Sequence, residues 1–286
     1  MHWKNRREQF RAHLNSKACV YPGSVYDPIS ARIAENLGFE VGMFAGSVAS
    51  LTVLGDPDHI LLTLSEFAQQ AYRICRASDL PIMVDADHGY GNALNVKRTV
   101  EELETAGVSA LSIEDTALPR PFGSGGKTSL ISIEEGVGKM KAAVAARSDP
   151  TLVIAARTSA ISVTGIEDTI ARISAYQDTG VDAIFLIGIK QKHQLEAISR
   201  ECKLPLFLGG AGAEIMDLDY LASQGVSLCL QGHQPVMAAM QATYDALKAL
   251  REGTKPSDLN NRFDKNLINQ LSKVDTYDQW VQDFLE

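Results

Sequence analysis

The stretch Thr179-Gly180-Val181-Asp182-Ala183-Ile184-Phe185-Leu186-Ile187-Gly188 sets the reading of the chain. Its continuous apolar run, Ala183 to Ile187, is too short for a buried helix and fits a strand covered on both faces, as strands of parallel sheets are. The Thr-Gly-Val triplet ahead of it marks the end of a helix. Glycine takes the left-handed conformation that stops the helix, and an apolar residue opens the next strand. The same punctuation recurs as Leu37-Gly38-Phe39, Ala106-Gly107-Val108 and Gln224-Gly225-Val226. Working outward, β-rich runs fall at Cys19–Val25, Glu40–Val48, Leu80–Asp87, Ala110–Asp115, Leu152–Thr158, Ala183–Gly188, Leu204–Gly210 and Ser227–Gly232. Helix-period segments lie between them, among them one opened by Ser65 as the expected N-cap and another running from Gly165 to Tyr176.

Eight such alternations predict one α/β domain, a (β/α)8 TIM barrel over residues 19–253, with an open doubly wound sheet as the alternative. Residues 1–18 carry an N-terminal helix, Arg6–Asn15, expected to plug the barrel bottom. After Gly253 the pattern breaks, and residues 254–286 form a C-terminal helical tail. Its apolar positions Leu267, Ile268, Leu271, Trp280, Val281, Phe284 and Leu285 have helical spacing and must be buried against this subunit or a partner.

Composition narrows the function classes. A net charge of −8, with no basic cluster, argues against a nucleic-acid surface. The longest stretch free of charged residues, Tyr220–Tyr244, contains Gln224, Gln231, His233, Gln234 and Pro235 and is no membrane span. The N-terminus is basic but lacks the apolar stretch of a signal peptide. Cys19, Cys75, Cys202 and Cys229 are far apart, which predicts reduced thiols in a cytoplasmic protein.

In a barrel of this kind the chemistry sits at the C-terminal ends of the strands. Asp85 and Asp87, two apart at the end of the third run, are expected on one side of a strand. Glu114 ends the neighbouring strand, and Asp58 lies in the loop after the second run. These carboxylates, with no lysine beside them, would repel one another unless a hard divalent cation joined them. An all-oxygen set suits Mg2+ or Mn2+, with one carboxylate direct and others through water. His59 and His88 offer the alternative of a transition-metal site. Arg157, directly after an apolar strand, suits a grip on a substrate carboxylate or an internal pair with Glu114 or Asp115. Ser47 and its flanking amides form an oxygen-binding turn, and His233 follows the last strand as a proton-transfer or carboxylate-binding group. The glycines of Gly209-Gly210-Ala211-Gly212 offer a phosphate cradle, and Lys190 a Schiff base; both are weaker readings.

Gly46-Ser47-Val48-Ala49-Ser50, Asp85-Ala86-Asp87-His88-Gly89-Tyr90-Gly91-Asn92, Ile113-Glu114-Asp115 and Ala156-Arg157-Thr158 resemble the phosphoenolpyruvate mutase/isocitrate lyase superfamily. Within it the chain is most similar to the oxaloacetate decarboxylase branch, through Asn92–Val96, Glu134–Lys139 and Gly232-His233. The resemblance implies direct metal ligation by Asp85, water-mediated support from Asp58, Asp87 and Glu114, and substrate contacts from Ser47, Arg157 and His233. It implies a metal-bound small 2-oxo dicarboxylic acid, and a homotetramer, a dimer of dimers, whose last barrel helix packs on a neighbouring subunit. The chain departs from the superfamily's lyases, which carry a Lys-Lys-Cys-Gly-His loop after strand 4. Here the loop is Pro119–Lys127, without cysteine. It also departs from the branch's tyrosine after strand 7, where only Gly209–Gly212 stand. The expected reaction is loss of CO2 from oxaloacetate, or a 3-substituted relative, to give pyruvate through a metal-stabilised enolate. The alternatives are carbon–phosphorus chemistry on phosphonopyruvate, of hydrolase or mutase type, and a non-catalytic dicarboxylate-binding barrel. Residues Ser50–Thr63 are the expected gate, hinged at Gly55-Asp56-Pro57-Asp58.

Overall fold

A computed structural model describes residues 3–259 and 264–286. The chain divides into two compact units, Met1–Gly232 and His233–Glu286. The first holds an eight-stranded parallel sheet in sequential order. Its strands are β1 (Gly23–Ser24), β2 (Gly42–Phe44), β3 (Ile82–Asp85), β4 (Ala110–Glu114), β5 (Val153–Thr158), β6 (Ala183–Ile187), β7 (Leu206–Gly209) and β8 (Val226–Cys229). The sheet closes where Val20 bridges Leu228: Val20 N–H donates to Ser227 O at 3.1 Å and Cys229 N–H to Val20 O at 3.0 Å. This is the expected (β/α)8 barrel, and the four glycine stops, Gly38, Gly107, Gly180 and Gly225, all have φ between +77° and +93°.

The paired strands are shorter than the apolar runs that announce them. β1 keeps two residues of the run Cys19–Val25, because ladder bonds form only where neighbours are in register and the run ends feed the loops. The core is the sheet's two faces, with Met43, Phe44, Met83, Ile113, Ile154, Phe185 and Phe207 all buried. The helix Trp3–Asn15 lies under the N-terminal ends of the strands, as expected of a plug. Phe10 is fully buried and meets Phe207 edge to face, with centroids 6.3 Å apart. Arg7 Nε donates to Val108 O at 2.9 Å, just ahead of β4. Arg11 Nη2 donates to Leu152 O at 3.0 Å and pairs with Asp182 at 2.9 Å, ahead of β5 and β6. These charged groups at the bottom leave the opposite mouth to the site.

One boundary differs from expectation. The helix Leu64–Cys75 is capped by Thr63, not Ser65: Thr63 is extended, its side chain accepts from Glu66 N–H, and the Glu66 carboxylate accepts from Thr63 N–H at 3.0 Å. That reciprocal box satisfies two helix-end donors, which a serine one residue inside the helix cannot do.

The second unit is helical: Gln234–Arg251, with Pro235 in its first turn, then Lys265–Ser272 and Val274–Leu285. The tail's apolar stripe therefore falls on two helices, as expected, while residues 260–263 of the tail lie outside the described residues. Met237, Met240, Tyr244, Leu247 and Leu250, spaced by three or four on the first helix, are exposed. Among the described residues, no helix is long and apolar enough to cross a membrane.

Candidate active site

The register across three strands assembles the mouth. Asp85 at the end of β3 is paired with Ser112 of β4, and Glu114 at the end of β4 with Arg157 of β5. Ser112 Oγ donates to Asp85 Oδ1 at 3.0 Å, and Arg157 Nη1 donates to Asp85 Oδ2. Arg157 Nη2 lies 3.3 Å from Glu114 Oε2, to which Thr116 Oγ1 also donates at 3.0 Å. The guanidinium rests over the Phe185 ring, 5.6 Å from its centroid, in the register position next to it on β6. Asp85 and Glu114 are buried, so this triangle lies largely out of water. Burial opposes the Arg157 charge, but Asp85 and Glu114 outweigh it and hold the guanidinium firmly cationic.

Asp87 is not on the strand with Asp85. β3 ends at Asp85, and Asp87 turns into the left-handed region at φ +47°. The alternation rule therefore does not orient it. Two other contacts do. Glu114 N–H donates to Asp87 O at 2.8 Å, keeping the turn beside β4. On the other side stands Gly46, at the end of β2: a Cβ built there would lie 2.7 Å from both Asp87 carboxylate oxygens. Glycine at 46 is thus what admits the carboxylate. Gly46 also opens the short helix Gly46–Ala49, which continues as the π-helical turn Ser50–Leu54, and Ser47 is half-buried in its first turn.

Charge in the mouth is unbalanced. Burial pushes the Asp87 carboxyl well above the usual range, with Asp85, Glu114 and Asp58 adding to the push and Arg157 opposing it. Glu114 is raised too: burial raises it, Arg157 opposes, and Asp85 adds to the rise. The exposed Asp58, on the loop after Gly55 (φ +76°), is close enough for its charge to bear on Asp87 and Tyr90. The structure therefore pairs Asp85 and Glu114 with Arg157 and sets Asp58 and Asp87 near enough for their charges to interact.

Not every predicted group joins them. Asp115 points outward from the strand: it accepts from Arg172 Nη1 at 3.0 Å and Tyr176 Oη at 2.8 Å, in the helix Ile166–Gln177. Of the two partners considered for Arg157, Glu114 is the one it takes. His88 is buried, and desolvation with the nearby Lys139 charge lowers it to about 4, so its ring is neutral. Lys190 lies on the β6 rim, its Nζ donating to Gly210 O at 2.5 Å. His233 belongs to the second unit, immediately before the helix Gln234–Arg251. Ser112 and Phe185 escape sequence reasoning because each acts on a residue of a neighbouring strand. Thr116, which supports Glu114 within its own segment, is also missed, and Gly46 is read only as an amide beside Ser47, not as the space for Asp87.

A divalent cation fits this donor set. Among the described residues no three His, Cys, Asp or Glu side chains converge to ligate an ion together. Asp85 retains lone pairs on both oxygens beyond the bonds from Ser112 and Arg157. Asp58 and Asp87 make no ion pair among the described residues, and a hard ion holding its own waters meets both conditions.

The family model for phosphoenolpyruvate phosphomutase matches residues 10–251. An oxaloacetate decarboxylase of Bradyrhizobium diazoefficiens is 58% identical over 273 residues, covering 96% of this chain and 94% of that protein. A phosphonopyruvate hydrolase solved with oxalate and Mg2+ superposes with a TM-score of 0.86 at 26% identity, covering 98% of this chain and 99% of that one. An oxaloacetate acetylhydrolase solved with the inhibitor 3,3-difluorooxalacetate gives 0.84 at 26% identity, with 96% and 95% covered.

Proposed function

The chain belongs to the phosphoenolpyruvate phosphomutase family, and we propose that it decarboxylates oxaloacetate, or a 3-substituted relative, to pyruvate and CO2 with Mg2+ or Mn2+ as cofactor. The observation that carries the reading is the carboxylate set at the barrel mouth, in which Asp85 and Glu114 pair with Arg157 and Asp58 is near enough for its charge to bear on Asp87. When bound, the ion supplies Lewis-acid stabilisation of the negative charge that develops as the carbon–carbon bond breaks.

The residues then have distinct tasks. Asp85 is the direct ligand, held in one rotamer by Ser112 and Arg157. Asp58, Asp87 and Glu114 hold the ion's waters. Arg157 pairs with Asp85 and Glu114, and its Nε is buried and without a hydrogen-bond partner among the described residues, which leaves it a donor to offer. Ser47, in the first turn of its helix, offers a hydroxyl and amides to a substrate oxygen. Burial raises all four thiols, Cys19 and Cys75 to about 12, Cys229 to about 11 and Cys202 upward, so none is an activated thiol. The loop 119–127 contains none.

We infer a homotetramer whose contacts cover the exposed apolar positions of the helix Gln234–Arg251. A cytoplasmic location fits the four free cysteines.

The test is pyruvate formation from oxaloacetate with and without Mg2+, read above the metal-catalysed background. Asp85→Ala and Arg157→Ala are each expected to abolish most of it. The similarity to a phosphonopyruvate hydrolase supports a second reading, carbon–phosphorus cleavage. Phosphate released from phosphonopyruvate, without pyruvate from oxaloacetate, would establish that one instead.

A further inference from the structure

Tyr90 has no task in the scheme above, yet the fold holds it in an unfavourable state twice over. Its backbone lies at φ +59°, between Gly89 at +77° and Gly91 at +147°, a conformation a bulky side chain rarely adopts. Its hydroxyl oxygen is buried and has no hydrogen-bond partner among the described residues. A buried hydroxyl left unpaired is destabilising, whereas phenylalanine would fill the same place with no polar atom to satisfy. The ring is not free to turn away. It packs beside Phe67, with centroids 6.3 Å apart, and beside His88 at 6.1 Å, and both neighbours are buried.

The hydroxyl sits within the field of the acidic cluster. Burial, with Asp87, Asp85 and Asp58 following in that order, pushes the phenol well above its usual range. It therefore stays protonated through the neutral region and acts as a donor. Among the described residues no acceptor is within its reach, so its acceptor is something the site takes up.

We propose that Tyr90 is a positioning residue of the cation site: its hydroxyl donates a hydrogen bond to a water of the bound divalent ion, on the side of Asp87 and Asp58, and so holds that water between the two carboxylates. The inference rests on the cation reading of the mouth. It gives the left-handed turn after β3 a purpose, since that turn carries both Asp87 and Tyr90 into the site.

The full-length protein and its Tyr90→Phe variant are titrated with Mn2+, free ion being followed by electron paramagnetic resonance, without substrate. One hydrogen bond lost should weaken Mn2+ binding about 2- to 12-fold. The metal-free variant should melt at or above the wild-type temperature, because an unsatisfied buried oxygen has been removed, and Mn2+ should raise its melting temperature less. Equal Mn2+ affinity in the two proteins overturns the proposal. So does a difference that appears only when oxalate is added, since the hydroxyl would then contact substrate. Failure of the wild type itself to bind Mn2+ would overturn the cation reading, and this inference with it.

Discussion

Replacing Gly46 by alanine separates positioning from folding. The added Cβ would stand 2.7 Å from Oδ1 and from Oδ2 of Asp87 and 2.9 Å from its Cγ. Rotation of the carboxylate cannot relieve a contact that both oxygens share, so the group must translate. Retreat to 3.0–3.4 Å means a shift of about 0.3 to 0.7 Å. A misplacement of 1 Å at a reacting centre costs about a hundredfold in rate, so this shift predicts a loss of roughly 4- to 25-fold in kcat/KM. On the proposed role of Asp87 in holding the ion's waters, the Mg2+ concentration for half-maximal rate should rise. Stability should not fall in parallel, because Gly46 opens a helix and does not need a left-handed φ. Gly138→Ala is the control: it lies within the helix Ile133–Ala146 with open space at its Cβ, and should stabilise by about 0.5–1 kcal/mol with activity intact. Steady-state decarboxylation with a Mg2+ titration, alongside thermal unfolding, reads both. A Gly46→Ala enzyme with wild-type kcat/KM and Mg2+ requirement would refute the reasoning.

Other perturbations probe the rest of the network. Arg157→Met leaves Asp85 and Glu114 buried without their cation, a cost of about 3–5 kcal/mol in urea unfolding that Mg2+ should partly restore. Its turnover should fall about a hundredfold or more. His88 is lowered from 6.5 to about 4 by burial and Lys139, so the unfolded chain binds the extra proton between those values. Its contribution is therefore complete above pH 6.5 and lost as pH falls toward 4, about 3 kcal/mol in all at 1.36 kcal/mol per unit. His88→Gln should flatten that part of the stability–pH curve, and an unchanged slope would contradict it. Tyr176→Phe deprives the buried Asp115 of its 2.8 Å donor and should cost about 1–3 kcal/mol with turnover unchanged. A marked loss of activity would instead place Asp115 in the chemistry.

What was legible beforehand was whatever depends on near neighbours along the chain. The apolar run Ala183–Ile187 becomes β6 because five apolar residues in a row must be covered on both faces. The glycine stops work because a helix ends where its last residues and the following glycine allow it. Asp85 and Glu114 end apolar strands and Arg157 is the last residue but one of its own, so their place at the mouth follows from strand direction alone. Asp87 shows the limit: two-residue spacing orients it only if the strand continues, and the chain instead turns left-handed at that residue. Thr63 shows another, since the choice between adjacent capping residues turns on which one is extended in the folded chain.

Sequence alone determined the order of strands and helices, the helical tail, and which acidic and basic residues end strands at the same rim, because periodicity and turn chemistry are local. Tertiary structure decided that Glu114, not Asp115, takes Arg157, because Glu114 is in register with Arg157 on β5 while Asp115, just past the strand, is held by Arg172 and Tyr176. It alone also decided that Gly46 must lack a side chain, and that the Tyr90 hydroxyl is buried beside the carboxylates with no partner among the described residues. Those facts depend on how closely two distant segments approach, and approach distance is a property of register and packing that no pattern along one segment carries.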